Sequence, residues 1–156
     1  MEQKMKMPDM YPKFLLMLGI SFIIMYLVMF LNMAEASHFQ LNVNRAYMAI
    51  LMVAPMAVIM LLLMGHMYPD KGRNAAILIG SAVVFALALW ALRTQVGIGD
   101  VQYMKAMIPH HSSAILTSEQ ASISDPEVRQ LADEIIKAQE EEIAQMKRII
   151  ERMENN

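Results

Sequence analysis

The residues of this chain that could do chemistry lie close together near its C-terminus. Met104, Met107 and His111 stand at i, i+3 and i+7, within about 60° of one another on a regular helix. Ile108 and Ile115 flank them, so this stripe faces inward. His110 is turned about 100° aside, beside Tyr103 and Ala114 at the edge of the stripe. On the following helical stretch Val128, Leu131, Ile135, Met146, Ile149, Ile150 and Met153 form an apolar arc, with Gln139 and Glu142 in its middle. The outer face holds Asp133, Lys137, Glu141, Arg148 and Arg152 instead. A carboxylate in an apolar arc is costly unless it is paired or coordinating. Glu142 alone would read as half of a salt bridge, and a lone histidine as a satisfied core residue. Two adjacent histidines after Met-x-x-Met, facing an inward Gln/Glu/Met set, suit a metal. With 18 methionines and no cysteine in the chain, the soft ligands are thioether and imidazole. They suit copper, above all Cu(I), better than zinc or any hard cation. Metal site and polar core pairing both remain open on this reading.

The elements that must position these residues differ sharply along the chain. Residues 1–92 carry six Lys/Arg and four Asp/Glu, whereas residues 93–156 carry seven and eleven. This break near Arg93 divides a membrane domain, 1–93, from a charged hairpin, 94–156. Three uncharged stretches, about 14–31, 46–64 and 75–92, run 18, 19 and 18 residues. Each covers about 27–29 Å as a helix, close to the thickness of a hydrocarbon core. The first is too long for a signal-peptide core, and the residues after it make a poor cleavage site. Lys4, Lys6 and Lys13, with Lys71 and Arg73 in the second loop, outnumber Arg45 and Arg93 on the other side. That bias puts the N-terminus inside and the hairpin outside, periplasmic or extracellular, at a bacterial cytoplasmic membrane. In the second stretch Met48, Met52, Met56, Met60 and Met64 recur every fourth residue, and Met25, Met29 and Met33 repeat the spacing in the first. This ladder reads as flexible packing rather than as a copper track.

The hairpin is expected at about 100–122 and 126–153. Asp100 is the expected N-cap of its first helix, which Pro109 should interrupt or kink. Asp125 before Pro126 and Glu127 is a strong start for the second. No basic cluster is present, so nucleic acid is excluded as a partner.

At the same residues the sequence resembles a known family. Asp100-x-x-Tyr-Met-x-x-Met-Ile-Pro-His-His-x-x-Ala-Ile115, then Asp125-Pro-Glu-Val, then Ile135-Ile-x-x-Gln-x-x-Glu-Ile-x-x-Met146, is similar to the CopM-like domain family. The resemblance covers about residues 99–153. It implies a ferritin-like helical bundle and copper binding outside the cytoplasm. It also implies metal roles for Met104, Met107, His110, His111 and Met146, with Glu142 and Gln139 as further partners. Ile149-Ile150 stand where the family often has Trp-Leu, a difference that touches packing. Soluble members have more helices, and two helices cannot close a bundle, so a homodimer or higher oligomer, or docking on the membrane, is implied.

The expected fold is therefore an all-α membrane protein: three transmembrane helices followed by an extracytoplasmic helical hairpin, a ferritin-like half-bundle. The expected function is sequestering or handing over Cu(I) in copper tolerance, without catalysis. The expected partners are copper, the lipid bilayer, a second copy of the chain and a copper exporter. A di-metal oxidase would need Glu-x-x-His pairs on several helices, and the hairpin carries none. The remaining alternative is a structural or sensory membrane subunit whose hairpin binds a partner protein.

Overall fold

The computed structural model describes residues 9–155; Lys4 and Lys6, which entered the orientation argument, lie outside them. All regular structure among the described residues is helical. It falls into two units. One comprises the chain up to Tyr26 with Tyr47–Arg93, the other Leu27–Ala46 with the chain from Thr94 onward.

The first unit is built on α1 (Tyr11–Val28), α2 (Val43–Leu63) and α3 (Lys71–Thr94). All three are long and apolar enough to cross a membrane. Each begins before its apolar run does, because a polar side chain caps it in the flank. Asp9 Oδ1 accepts from Tyr11 N at 3.1 Å, and Asn42 Oδ1 accepts from Arg45 N at 3.0 Å. Asp70 Oδ1 takes both Gly72 N and Arg73 N, at 2.9 and 3.0 Å. These bonds satisfy amides that have no intrahelical partner. Ala49, Ala54, Ala57, Ala88 and Ala91 are buried, while Leu16, Ile79 and Trp90 stand open. Small residues at helix contacts with large apolar ones outward is the arrangement that lipid favours. A cluster of Tyr11, Phe14, Ala57, Leu61 and Tyr68 closes one end. There the Tyr11 hydroxyl donates to Asn74 Oδ1 at 2.7 Å and accepts from Asp70 N at 3.2 Å.

The methionine ladder of α2 has no single environment. Met48 and Met52 are each 46% exposed, whereas Met60 and Met64 pack on the aromatic cluster. α1 ends at Val28, so Met29 and Met33 leave the helix and the shorter ladder is not continuous.

The second unit is the hairpin of α4 (Asp100–Gln120) and α5 (Pro126–Glu154), with the α1–α2 connection laid against it. Gln95 and Gly97 have φ of 55° and 70°, the turn that separates α3 from α4. Gly99, not Asp100, is the N-cap; Asp100 sits one residue further on, in the first turn, where its charge favours the helix dipole. Asp125 caps α5 by accepting from Glu127 N and Val128 N at 2.9 and 3.0 Å. The two helices are latched at both ends. Lys105 Nζ lies 2.6 Å from Glu154 Oε1, and Arg129 Nη1 donates to Ser118 O at 3.0 Å.

The seam between them is Met104, Ile108 and Ile115 against Ile143 and Ile150, with Ile136, Met146 and Ile149 partly buried. It differs from the expected arc. Val128, Leu131, Ile135 and Met153 are 49%, 56%, 37% and 39% exposed. The apolar arc of α5 spans about 140°, and α4 covers only the half that carries Ala132, Ile136, Ile143 and Ile150. The other half is left open.

Pro109 does not interrupt α4, which is helical throughout. It withholds a donor from the carbonyl of Lys105, and Asn42 Nδ2 from the α1–α2 connection reaches that oxygen at 3.5 Å. The same connection, here termed the strap, makes further bonds to α4. Ala34 N donates to Ser112 Oγ at 2.9 Å, and Asn32 Nδ2 to Ser113 Oγ at 2.7 Å. Val43 N donates to Gln102 Oε1 at 3.2 Å. Its fold is held by Phe30, which is buried, packs 4.5 Å from Phe39 and lies 4.0 Å under the Arg45 guanidinium.

Candidate metal centre

On the side away from the strap α4 and α5 leave an open cleft of about 790 Å³ between them. Its walls include Met104, Met107 and His111 from α4 and Glu142, Met146 and Ile149 from α5. His111 is the fixed point. Its residue exposure is 8%, and both ring nitrogens are engaged. Nδ1 lies 2.9 Å from the Met107 carbonyl, and Nε2 lies 2.6 Å from Glu142 Oε2. A carbonyl can only accept, so Nδ1 carries a hydrogen. That turns Nε2 toward the Glu142 carboxylate, where a metal cation could take a lone pair from each, with the Nδ1–carbonyl bond orienting the ring for it.

Five of the expected ligand residues thus share one cleft: Met104, Met107, His111, Met146 and Glu142. The sixth does not. His110 is exposed on the outer flank of α4, with its ring centroid 6.1 Å from that of His111. Because α4 stays regular through Pro109, neighbouring side chains are splayed by about 100°. Gln139 is half-buried and does not line the cleft. Glu142 is not the buried carboxylate of the apolar arc; its side chain is 54% exposed, for the same reason that half the arc is open. Among the described residues no three of His, Cys, Asp or Glu converge on one point. Binding here would therefore depend on methionine sulfur.

About 100° around α4 from His111 lies a second polar centre that periodicity did not reveal. Ser112 is fully buried, and its hydroxyl lies 2.8 Å from His38 Nδ1 while accepting from Ala34 N. Glu35-Ala-Ser-His38 has the Glu-x-x-His spacing, but in a 3-10 turn of the strap, with Glu35 Oε2 3.7 Å from His38 Nε2. The signal available in the sequence was the run of polar residues in a connection between two spans: Asn32, Ser37, His38 and Asn42. Burial holds the His38 pKa below its ordinary 6.5; Lys147 on α5 adds to this and Glu35 opposes it. The undocked histidine therefore binds protons more readily than the docked one. Docking is strongest above pH 6.5 and weakens as pH falls through that value. Amide exchange at Ala34–Phe39, corrected for intrinsic rates, should be faster at acidic than at neutral pH, and His38→Gln should flatten the difference. Equal protection at both pH values in the unaltered protein would sink this account.

A family described as a domain of unknown function (DUF305) matches residues 89–156, which are α4, α5 and the end of α3. An uncharacterized protein of Acanthamoeba polyphaga mimivirus is 38% identical over 141 residues, covering 88% of this chain and 90% of that protein. That similarity is too long to be confined to the hairpin, so it includes the apolar helices. No solved structure matches. The descriptions name no ligand, and the chemistry of the cleft has to be argued from its own residues. The chain belongs to one family with the mimivirus protein, and its C-terminal hairpin, which follows three helices apolar enough to span a membrane, carries the match to the DUF305 family.

Proposed function

We propose that the chain is a membrane-anchored protein that binds copper as Cu(I) outside the cytoplasm, to sequester it or hand it on, through Met104, Met107, His111, Met146 and Glu142. The observation that carries this reading is the state of His111. Its Nδ1 is tied to a carbonyl, and its Nε2 is presented to a cleft lined by three thioethers and one carboxylate. Thioether and imidazole without thiolate favour Cu(I), and the CopM-like resemblance over the same residues points the same way. The anchor reading is supported by the packing of the strap on the hairpin. With three crossings the α1–α2 connection and the segment after α3 emerge on one side of the bilayer, as that packing requires. The bias of Lys13, Lys71 and Arg73 to the other side makes this the outer one.

The test is metal titration of the full chain in detergent. Cu(I) should bind, and a tenfold excess of Zn(II) should not displace it. Displacement by Zn(II) would refute the soft-ligand argument. Orientation has its own readout: a reporter fused after Asn156 should be active only outside the cytoplasm, and activity confined to the cytoplasm would overturn the placement.

A further inference from the structure

The open flank of α5 is patterned like a helix–helix seam. Val128, Ile135, Glu142 and Ile149 recur at intervals of seven, and Leu131, Ala138, Gln145 and Arg152 follow each by three. That is the a/d pattern by which one helix packs on another. α4 packs mainly on Ile136, Ile143 and Ile150 and touches this set only at Glu142 and Ile149, while Val128, Leu131 and Ile135 stand exposed. Beside this seam runs a rim, again at intervals of seven: Glu127, Glu134, Glu141, then Arg148. All four are exposed. The rim changes sign along its length.

We infer that the flank is covered by the α5 helix of a second copy of this chain, running antiparallel about a two-fold axis near residues 138–142, and that the pair closes the metal cleft. Antiparallel pairing sets each a residue against a d residue. Val128 meets Arg152, Leu131 meets Ile149, Ile135 meets Gln145, and Ala138 meets Glu142. It also brings Glu134 opposite Arg148, and by symmetry every such pair forms twice. A parallel pairing would set Glu134 against Gln139 and Arg148 against Met153, with no opposite charges across the seam. Charge therefore selects the antiparallel arrangement. Two hairpins joined this way make four helices around one core, the closure that a single hairpin lacks.

The axis is also where the chemistry lies. Glu142 is the one carboxylate in the apolar seam, and antiparallel symmetry brings Glu141 and Glu142 of both copies together. Their mutual repulsion is relieved by cations held at the two His111–Glu142 pairs. Copper loading accordingly tightens the pair, and the cleft's open side is closed by the second copy. This last step rests on the copper reading; the antiparallel seam does not.

The chain has no cysteine, so single-cysteine variants of the full protein in detergent report the seam directly. A short bismaleimide, added after chelation or after Cu(I) loading, should cross-link Ala138→Cys to itself. Leu131→Cys alone and Ile149→Cys alone should not link, because each lies about 27 Å along the axis from its own copy. Mixed together, those two variants should give a linked dimer, and Cu(I) should raise every yield severalfold. Leu131 and Ala138 are exposed and Ile149 is only partly buried at the edge of the α4–α5 core, so the hairpin should still fold. Self-linking of Leu131→Cys as efficient as that of Ala138→Cys would mean a parallel pair and overturn the inference. So would absence of any link with and without copper, which would leave lipid or another protein on this face. Cu(I) titration of the unaltered, cysteine-free chain separates the two claims. Copper binding without links refutes the dimer alone, and links without copper binding refute the copper reading and leave the dimer standing.

Discussion

Replacing His111 by alanine should lower the Cu(I) affinity of the full chain by at least about 100-fold, because loss of a mere outer-shell partner already costs 10–100-fold. The argument depends on what the ring does in the fold. It is the one cleft residue fixed at both ends, by the Met107 carbonyl and by Glu142. The methionines of the cleft are flexible, and each can be lost while the others adjust. A single Met→Leu change should therefore cost less than the histidine does. Glu142→Gln separates two roles for the carboxylate. If it only orients Nε2, the loss should fall within about 10–100-fold; if it is itself a ligand, the loss should approach that of His111→Ala. The fold should tolerate the histidine change. The seam residues Ile108 and Ile143 are untouched, and Glu142, left without its partner, is already 54% exposed. Unchanged Cu(I) affinity with an intact circular dichroism spectrum would remove His111 from the site and, with it, the proposed function.

Much of the arrangement was legible in the sequence because it depends on local rules. Three uncharged stretches became three long helices, and Asp125 capped α5 where Asp-Pro-Glu announced it. The grouping of Met104, Met107 and His111 followed from helical spacing alone, and all three line one cleft. What was not legible came from long-range contacts. The centre of the α5 seam was misplaced because periodicity gives the width of an apolar arc, not which part of it the partner helix takes. Glu142 looked buried on that account and is half open. The carbonyl of Lys105, which Pro109 leaves without its helical donor, is met by Asn42, more than 60 residues away in sequence. The strap was the largest omission. Its bonds run from Asn32, Ala34, His38 and Asn42 to α4, and a connection between two spans offers no periodicity from which to read them.

The strap yields the second large expected effect. Ser112→Ala should weaken docking of the strap on α4 by about 2–4 kcal/mol, a shift of about 30- to 1,000-fold in the docking equilibrium. Ser112 is fully buried, and its hydroxyl serves two groups at once, the Ala34 amide and His38 Nδ1. Without it both lose that partner, and a buried polar group left unsatisfied costs about 1–3 kcal/mol. Ala34 N has only the longer 3.3 Å contact to the Ser112 carbonyl to fall back on. The bond between Asn32 and Ser113 is exposed and so offers little compensation. Amide exchange in the unit should then show Ala34–Phe39 deprotected while α5 keeps its protection, since the seam of Ile143 and Ile150 does not involve Ser112. Copper affinity should stay within about threefold of the unaltered chain, because Ser112 points about 100° away from His111 around α4. If exchange at Ala34 is unchanged, the hydroxyl does not hold the strap. If copper affinity falls in step with strap protection, the two sides of α4 are coupled, and the strap belongs to the metal site rather than to the scaffold behind it.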